Sequence, residues 1–145
     1  MDEEAASTND AVAWAKNCLD EAVRTAAATG IFEGITIESK VAWSLPNKIM
    51  IGRIRDSGPS HREFWIIAGD VPTDCIDGDT CATPRDAARH FSLKWQLGAD
   101  QVRDPDARAK RGLKQDMDWE NAGDELESVA SALYALVEED EAWLS

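Results

Sequence analysis

Arg85 and Arg89 stand four residues apart in a segment with helical signals, so their side chains share one face. Just upstream lies an acidic turn containing Asp70, Thr73 and Asp74, and His90 follows Arg89 directly. Two guanidinium groups on one face can fork their donors onto a carboxylate or a phosphate. An imidazole beside them titrates near neutral pH. Asp70, Thr73, Asp74, Arg85, Arg89 and His90 are therefore the candidate ligand-binding set, for a small anion or a peptide carboxylate. The plainer reading is an ion-pair network that fixes the loop, since structural networks gather the same residue types.

Other chemistries find less support. Asp74, Asp77 and Asp79 crowd around Gly78, but no bidentate Glu follows at the spacing of a Ca²⁺ loop. An Asp/Gly turn explains them better. Cys18, Cys75 and Cys81 are odd in number and lack Cys-x-x-Cys spacing. They read as reduced thiols, without a zinc set or a protease-like setting for a nucleophile. The nine glycines form no phosphate-cradling loop. No catalytic residue, metal or cofactor is expected, and the reading leans away from an enzyme.

Six Trp residues against one Tyr is an unusual balance. Trp65 and Trp95 sit in a predicted strand and a predicted helix and read as core. Trp43, Trp119 and Trp143 are candidate interface residues, because exposed Trp is enriched at binding hot spots. Trp14 and Trp43 are expected to face each other near one sheet edge. Arg103, Arg108, Lys110, Arg111 and Lys114 form a basic stretch, and Glu138 to Glu141 an acidic one. These two could pair between helices or between subunits.

The elements that must position these residues are legible in part. The chain has 145 residues, the size of one domain, with 43% hydrophobic and 30% charged residues. Residues 1–8 read as an acidic disordered arm and 9–145 as a single α+β domain. Asn9 or Asp10 can cap a helix over Ala11–Ala28, with Val12, Ala15, Leu19, Val23 and Ala26 at helical spacing and Gly30 at its end. Ile35 and Ile37, then Val41, Trp43 and Leu45, alternate as short strands do. Lys48 to Arg55 and Arg62 to Gly69 read as an antiparallel hairpin around Asp56-Ser57-Gly58-Pro59-Ser60. Asp70 to Cys81 reads as a loop. Thr83-Pro84-Arg85-Asp86 opens a helix reaching about Val102. Asp104-Pro105 opens another, over Asp106 to Lys114. Leu126, Val129, Ala130, Leu133, Leu136 and Val137 form the last amphipathic stripe.

The predicted fold is α+β: a small antiparallel sheet of two to three strands, covered on one face by three or four helices, in the order helix–sheet–helix–helix. The other face is expected to be solvated or a partner site.

The run Gly69-Asp70-Val71-Pro72-Thr73-Asp74, followed by Pro84-Arg85-Asp86-Ala87-Ala88-Arg89-His90-Phe91-Ser92-Leu93-Lys94-Trp95-Gln96-Leu97, is the most distinctive text in the chain. It resembles an uncharacterised bacterial family known only as a domain of unknown function (DUF4826-like), best over about residues 43–101. The resemblance implies a bacterial, intracellular origin and carries no activity.

The net charge of −13 repels phosphate backbones and anionic lipid at long range, so duplex nucleic acid and membranes are not expected partners. No apolar run approaches a membrane span of about 20 residues, and the acidic start is unlike a signal peptide. The expected setting is the cytoplasm. The leading expectation is a non-catalytic interaction domain, adaptor-like, chaperone-like or immunity-like, whose partner is another protein. A homodimer is conceivable through an open sheet edge.

Overall fold

The computed structural model describes residues 2–34, 36–112 and 118–144. Among the residues singled out above, Ile35 and Lys114 lie outside the described residues. The chain divides into two compact units, Met1–Ala87 and Ala88–Ser145, and the division falls in the first turn of one helix.

The first unit opens with helix α1, Asp2–Ala28. It covers the expected Ala11–Ala28 stretch and the acidic residues before it. Ala15, Leu19, Ala22 and Ala26 are its buried stripe. Thr29 and Gly30 donate backbone N–H groups to Ala26 and Ala27, and Gly30 takes φ +79°, the left-handed turn that closes a helix.

Four antiparallel strands follow, in the spatial order β1-β2-β3-β4. They are β1, Ile37–Leu45; β2, Ile49–Asp56; β3, Glu63–Gly69; and β4, Asp74–Asp77. The sheet is thus one strand larger than expected. The added strand, β4, comes from the segment read as a loop. Its Asp and Gly content resembles a turn, and only pairing with β3 (Ile66 opposite Cys75, Ile67 opposite Asp74) makes it a strand.

Met50, Ile54, Phe64, Ile66 and Ala68 pack with the α1 stripe into one apolar cluster. Gly52, at the middle of β2, lets α1 come close: a Cβ there would sit 2.8 Å from Leu19 Cδ1 and 3.0 Å from the Lys40 carbonyl oxygen.

Ile51 and Ile67, on the face opposite α1, are also fully buried, and Trp65 nearly so. β3 is apolar without a break from Phe64 to Ala68, whereas β2 is apolar without a break only from Ile49 to Ile51 and then carries Arg53, Arg55 and Asp56.

β1 carries a second correction. Its register slips between Val41 and Trp43, so that Val41 lies opposite Gly52 while Trp43 lies opposite Ile51. Residues paired across strands share a face. Val41 therefore shares the α1 face, and Trp43 and Leu45 share the other. Trp14 packs against the α1 cluster, so Trp14 and Trp43 are on opposite sides of the sheet. A bulge residue, Ala42, moved Trp43 off the face that simple alternation gives it.

The second unit holds the rest of α2 (Pro84–Arg103), a short α3 (Pro105–Lys110) and α4 (Trp119–Val137), closed by a 3₁₀ turn at Asp140–Trp143. The sequence signals for the helix starts hold. Thr83 Oγ1 accepts the Asp86 N–H at 3.1 Å, and Asp104 accepts the Asp106 N–H ahead of Pro105 at the first turn. Phe91, Ala130, Leu133 and Val137 are fully buried. Arg103 reaches three carboxylates, Glu127 at 2.6 Å, Asp124 at 2.8 Å and Asp100 at 3.6 Å. The hydrogen bond that Arg103 donates to Glu127 leads the effects that hold its guanidinium firmly protonated. The basic stretch thus engages the first half of α4 through Arg103.

Candidate functional site

The residues predicted as a ligand site are spread over several elements. Asp70 and Thr73 lie between β3 and β4 and help line a groove of about 460 Å³ with Trp14, Cys18, Glu21 and Asn47. The charged residues on that groove, Glu21 and Asp70, are both acidic, so its field disfavours anions. Asp74 begins β4, where its Oδ1 accepts the Cys75 N–H at 2.8 Å. Arg85 is half-buried in the first turn of α2. In the second unit, Arg89 is half-buried and its carbonyl accepts the Ser92 hydroxyl at 2.7 Å, while His90 is exposed.

The three tryptophans differ in role. Trp43 is half-buried on β1. Trp119 starts α4 and flanks a small hollow with Arg103 and Arg108. The Trp143 indole N–H donates to the Leu136 carbonyl at 3.0 Å, which ties the 3₁₀ turn to α4.

Among the described residues, no three of His, Cys, Asp and Glu gather as metal ligands, and the three cysteines are unpaired by disulfides. Burial pushes the Cys18 thiol up, and the charge of Glu21 adds to the effect. A raised thiol is protonated at neutral pH and is a poor nucleophile. Iodoacetamide should therefore alkylate Cys18 more slowly than free cysteine at pH 7.5, with the gap closing as pH rises past 9. Peptide mass spectrometry reads the rates. Faster labelling of Cys18 than of free cysteine would reverse the assignment.

The most distinctive surface is one the sequence marked only as a possible open edge. β1 has no strand on its outer side among the described residues, and Glu38 to Ala42 are all exposed. Which backbone groups point outward follows from two hydrogen bonds. The Ser57 N–H donates to the Thr36 carbonyl at 3.1 Å, and the Asp56 N–H donates to Arg62 on the β3 side at 2.9 Å. Paired groups alternate along an antiparallel strand. Thr36, Glu38 and Lys40 therefore direct their backbone groups to β2, and Ile37, Ser39 and Val41 direct theirs to solvent.

Both sides of this edge are shaped. On the α1 face an open groove of about 440 Å³ runs between helix and strand, with Ala11, Val12, Ala15 and Leu19 along α1 and Val41 along β1. Val12 is 63% exposed although it belongs to the apolar stripe of the helix. On the opposite face a polar hollow of about 390 Å³ is lined by Glu38, Lys40, Arg53, Arg55 and Glu63. Arg53 stacks at 4.5 Å over Trp65, pairs with Glu63 at 3.1 Å and donates to the Gly78 carbonyl. Arg55 holds Glu63 at 3.4 Å and Glu38 at 4.0 Å.

The edge is held in place from behind by Asp56, which is 1% exposed. Its carboxylate accepts the backbone N–H groups of Glu33 at 2.6 Å, Gly34 at 2.7 Å and Gly58 at 3.0 Å. These bonds pin the segment leading into β1 against the β2–β3 turn. The Glu33 N–H above all holds this carboxyl below the usual carboxylate range. It acts with the Gly58 and Gly34 N–H groups and the Arg62 charge, against the opposing effect of burial. In the sequence Asp56 reads as a loop residue, and its signal is an Asp before Ser-Gly-Pro, the pattern of a side chain that bonds to turn backbone.

The fold and this surface define an α+β protein with an open-edged antiparallel sheet and no helix, among the described residues, long and apolar enough to cross a membrane. The chain belongs to the family described as Domain of unknown function (DUF4826), whose model matches residues 8–143. The match runs through both compact units and extends on either side of residues 43–101. No curated protein and no solved structure matches the chain.

Proposed function

We propose that this protein is a non-catalytic interaction domain of the cytoplasm that takes an extended segment of another protein chain onto the edge of β1. The observation that carries the reading is the exposed strand Ile37–Leu45, with outward backbone groups at Ile37, Ser39 and Val41. Strand addition draws its affinity from main-chain hydrogen bonds and its selectivity from the flanking grooves. Here the flanks differ in chemistry: Val12 and Val41 offer an apolar groove on one side, and Lys40, Arg53 and Arg55 with Glu38 and Glu63 a charged one on the other. Natural proteins usually blunt such edges. β1 carries edge charges at Glu38 and Lys40 and a bulge after Val41, yet Ile37–Val41 keeps an unbroken register with β2 and so an unbroken row of outward backbone groups. The alternative, an anion site using Asp70, Asp74, Arg85, Arg89 and His90, gains nothing from the acid-lined groove at Asp70.

Ser39→Pro is the test. The N–H it removes points outward, so the β1–β2 ladder stays intact, and proline is tolerated at such edge positions. Immobilised wild type should retain chains from a cell extract that the folded Ser39→Pro protein does not. Amide exchange at Ile37, Ser39 and Val41 should slow in the retained complex. Identical retention by both proteins would defeat the reading.

A further inference from the structure

We infer that the segment received by β1 is β1 of a second copy of this chain, paired antiparallel about a two-fold axis through Ser39. The inference rests on the edge-strand reading above and adds the partner and the register.

An antiparallel self-pair centred on Glu38 sets Glu38 opposite itself, and one centred on Lys40 sets Lys40 opposite itself. Like charges directly opposite are unfavourable. A centre at Val41 sets Lys40 opposite Ala42, where the bulge has broken the ladder geometry. A centre at Ile37 leaves Ser39 and Val41 without opposite strand residues.

A centre at Ser39 meets every requirement. Ser39 faces Ser39 of the second copy, Ile37 faces Val41, and Glu38 faces Lys40, each of the last two pairings made twice. The residues with outward backbone groups, Ile37, Ser39 and Val41, are the three that must exchange hydrogen bonds in this register, about six in all. Glu38 and Lys40 then occupy the close, non-hydrogen-bonded pairs, where side chains approach best. The paired segment Ile37–Val41 ends where the register slips.

Such a pairing is isologous and closed, so it makes a dimer and not a fibre. It joins four strands from each copy into one continuous sheet. The axis also sets both α1 helices on the same face, so the grooves at Val12 and Val41 become neighbours. The net charge of −13 on each copy opposes association at long range. At physiological salt that repulsion is screened beyond about 8 Å, while the close Glu38–Lys40 pairs persist.

Charge reversal with complementation tests the register. Glu38→Lys and Lys40→Glu are exposed substitutions that leave the core untouched. Sedimentation velocity at physiological salt should show wild type as a dimer at micromolar concentration. Each single variant should weaken self-association by about tenfold or more, because both copies then oppose like charges. An equimolar mixture of the two variants restores both pairs, so native mass spectrometry should find the mixed dimer in excess over either homodimer. Ser39→Cys should cross-link two copies through that position under mild oxidation. A wild type that stays monomeric at high micromolar concentration overturns the inference, and so does a dimer indifferent to all three substitutions. The edge-strand reading is judged separately: a monomeric wild type that still retains chains lost by Ser39→Pro keeps that reading and gives the edge a different occupant.

Discussion

Asp56→Asn is expected to lower the thermal midpoint by on the order of 10 °C, a large loss for one atom exchanged on the chain. The wild-type carboxylate faces three backbone donors and satisfies them with two oxygens. Asparagine keeps one oxygen and turns an NH₂ group toward N–H donors. A buried donor left without an acceptor carries its full desolvation cost. The segment into β1 should loosen first, so amide exchange should rise at Glu33, Gly34 and Gly58 before the core. A midpoint within about 2 °C of wild type would show that these bonds are dispensable.

The same carboxylate gives a pH dependence of definite sign. Its native pKa lies below its value in the unfolded chain. Its contribution is therefore fully present above about pH 3.9, the ordinary Asp value, and is lost as pH falls through the lower native value. Wild type should lose stability along this acid limb, and Asp56→Asn should show a shallower one. Equal slopes below pH 4 in acid titrations followed by Trp fluorescence would remove Asp56 from the account.

Phe64→Ala is the second large effect, expected to cost about 3–5 kcal/mol in denaturant unfolding. Phe64 is 1% exposed and packs within the cluster joining α1 to the sheet. Its ring meets Phe32 edge-on at 5.8 Å, and the Arg62 guanidinium lies 4.7 Å from it. Truncation opens a cavity below α1, between its buried stripe and β3. Phe64→Leu fills most of that space and should cost less than about 1.5 kcal/mol. If the two variants unfold alike, the site tolerates loss of shape and the ring is not a keystone of this cluster.

Local chemistry was readable from residue types alone. Thr83, Asp104 with Pro105, and Gly30 marked helix ends, because caps and left-handed closures depend on neighbours a few residues away. The hairpin of β2 and β3 was readable for a similar reason: two apolar runs enclosed a turn. β4 was not, since Asp74-Cys75-Ile76-Asp77 gains strand character only from its partner. Nor was the exposure of Val12, which looks identical to its buried stripe-mates until the width of the sheet beneath it is known.

What the sequence determined by itself was the class of protein: α+β, acidic, with amphipathic helices around a hairpin, and membership of its family. Tertiary structure alone decided which edge stays open, which backbone groups point outward from it, and where Ala42 turns Trp43 to the far face. Periodicity records how a side chain relates to its own element. An edge, a register and a bulge are relations between elements distant in the chain, and only the folded arrangement specifies them.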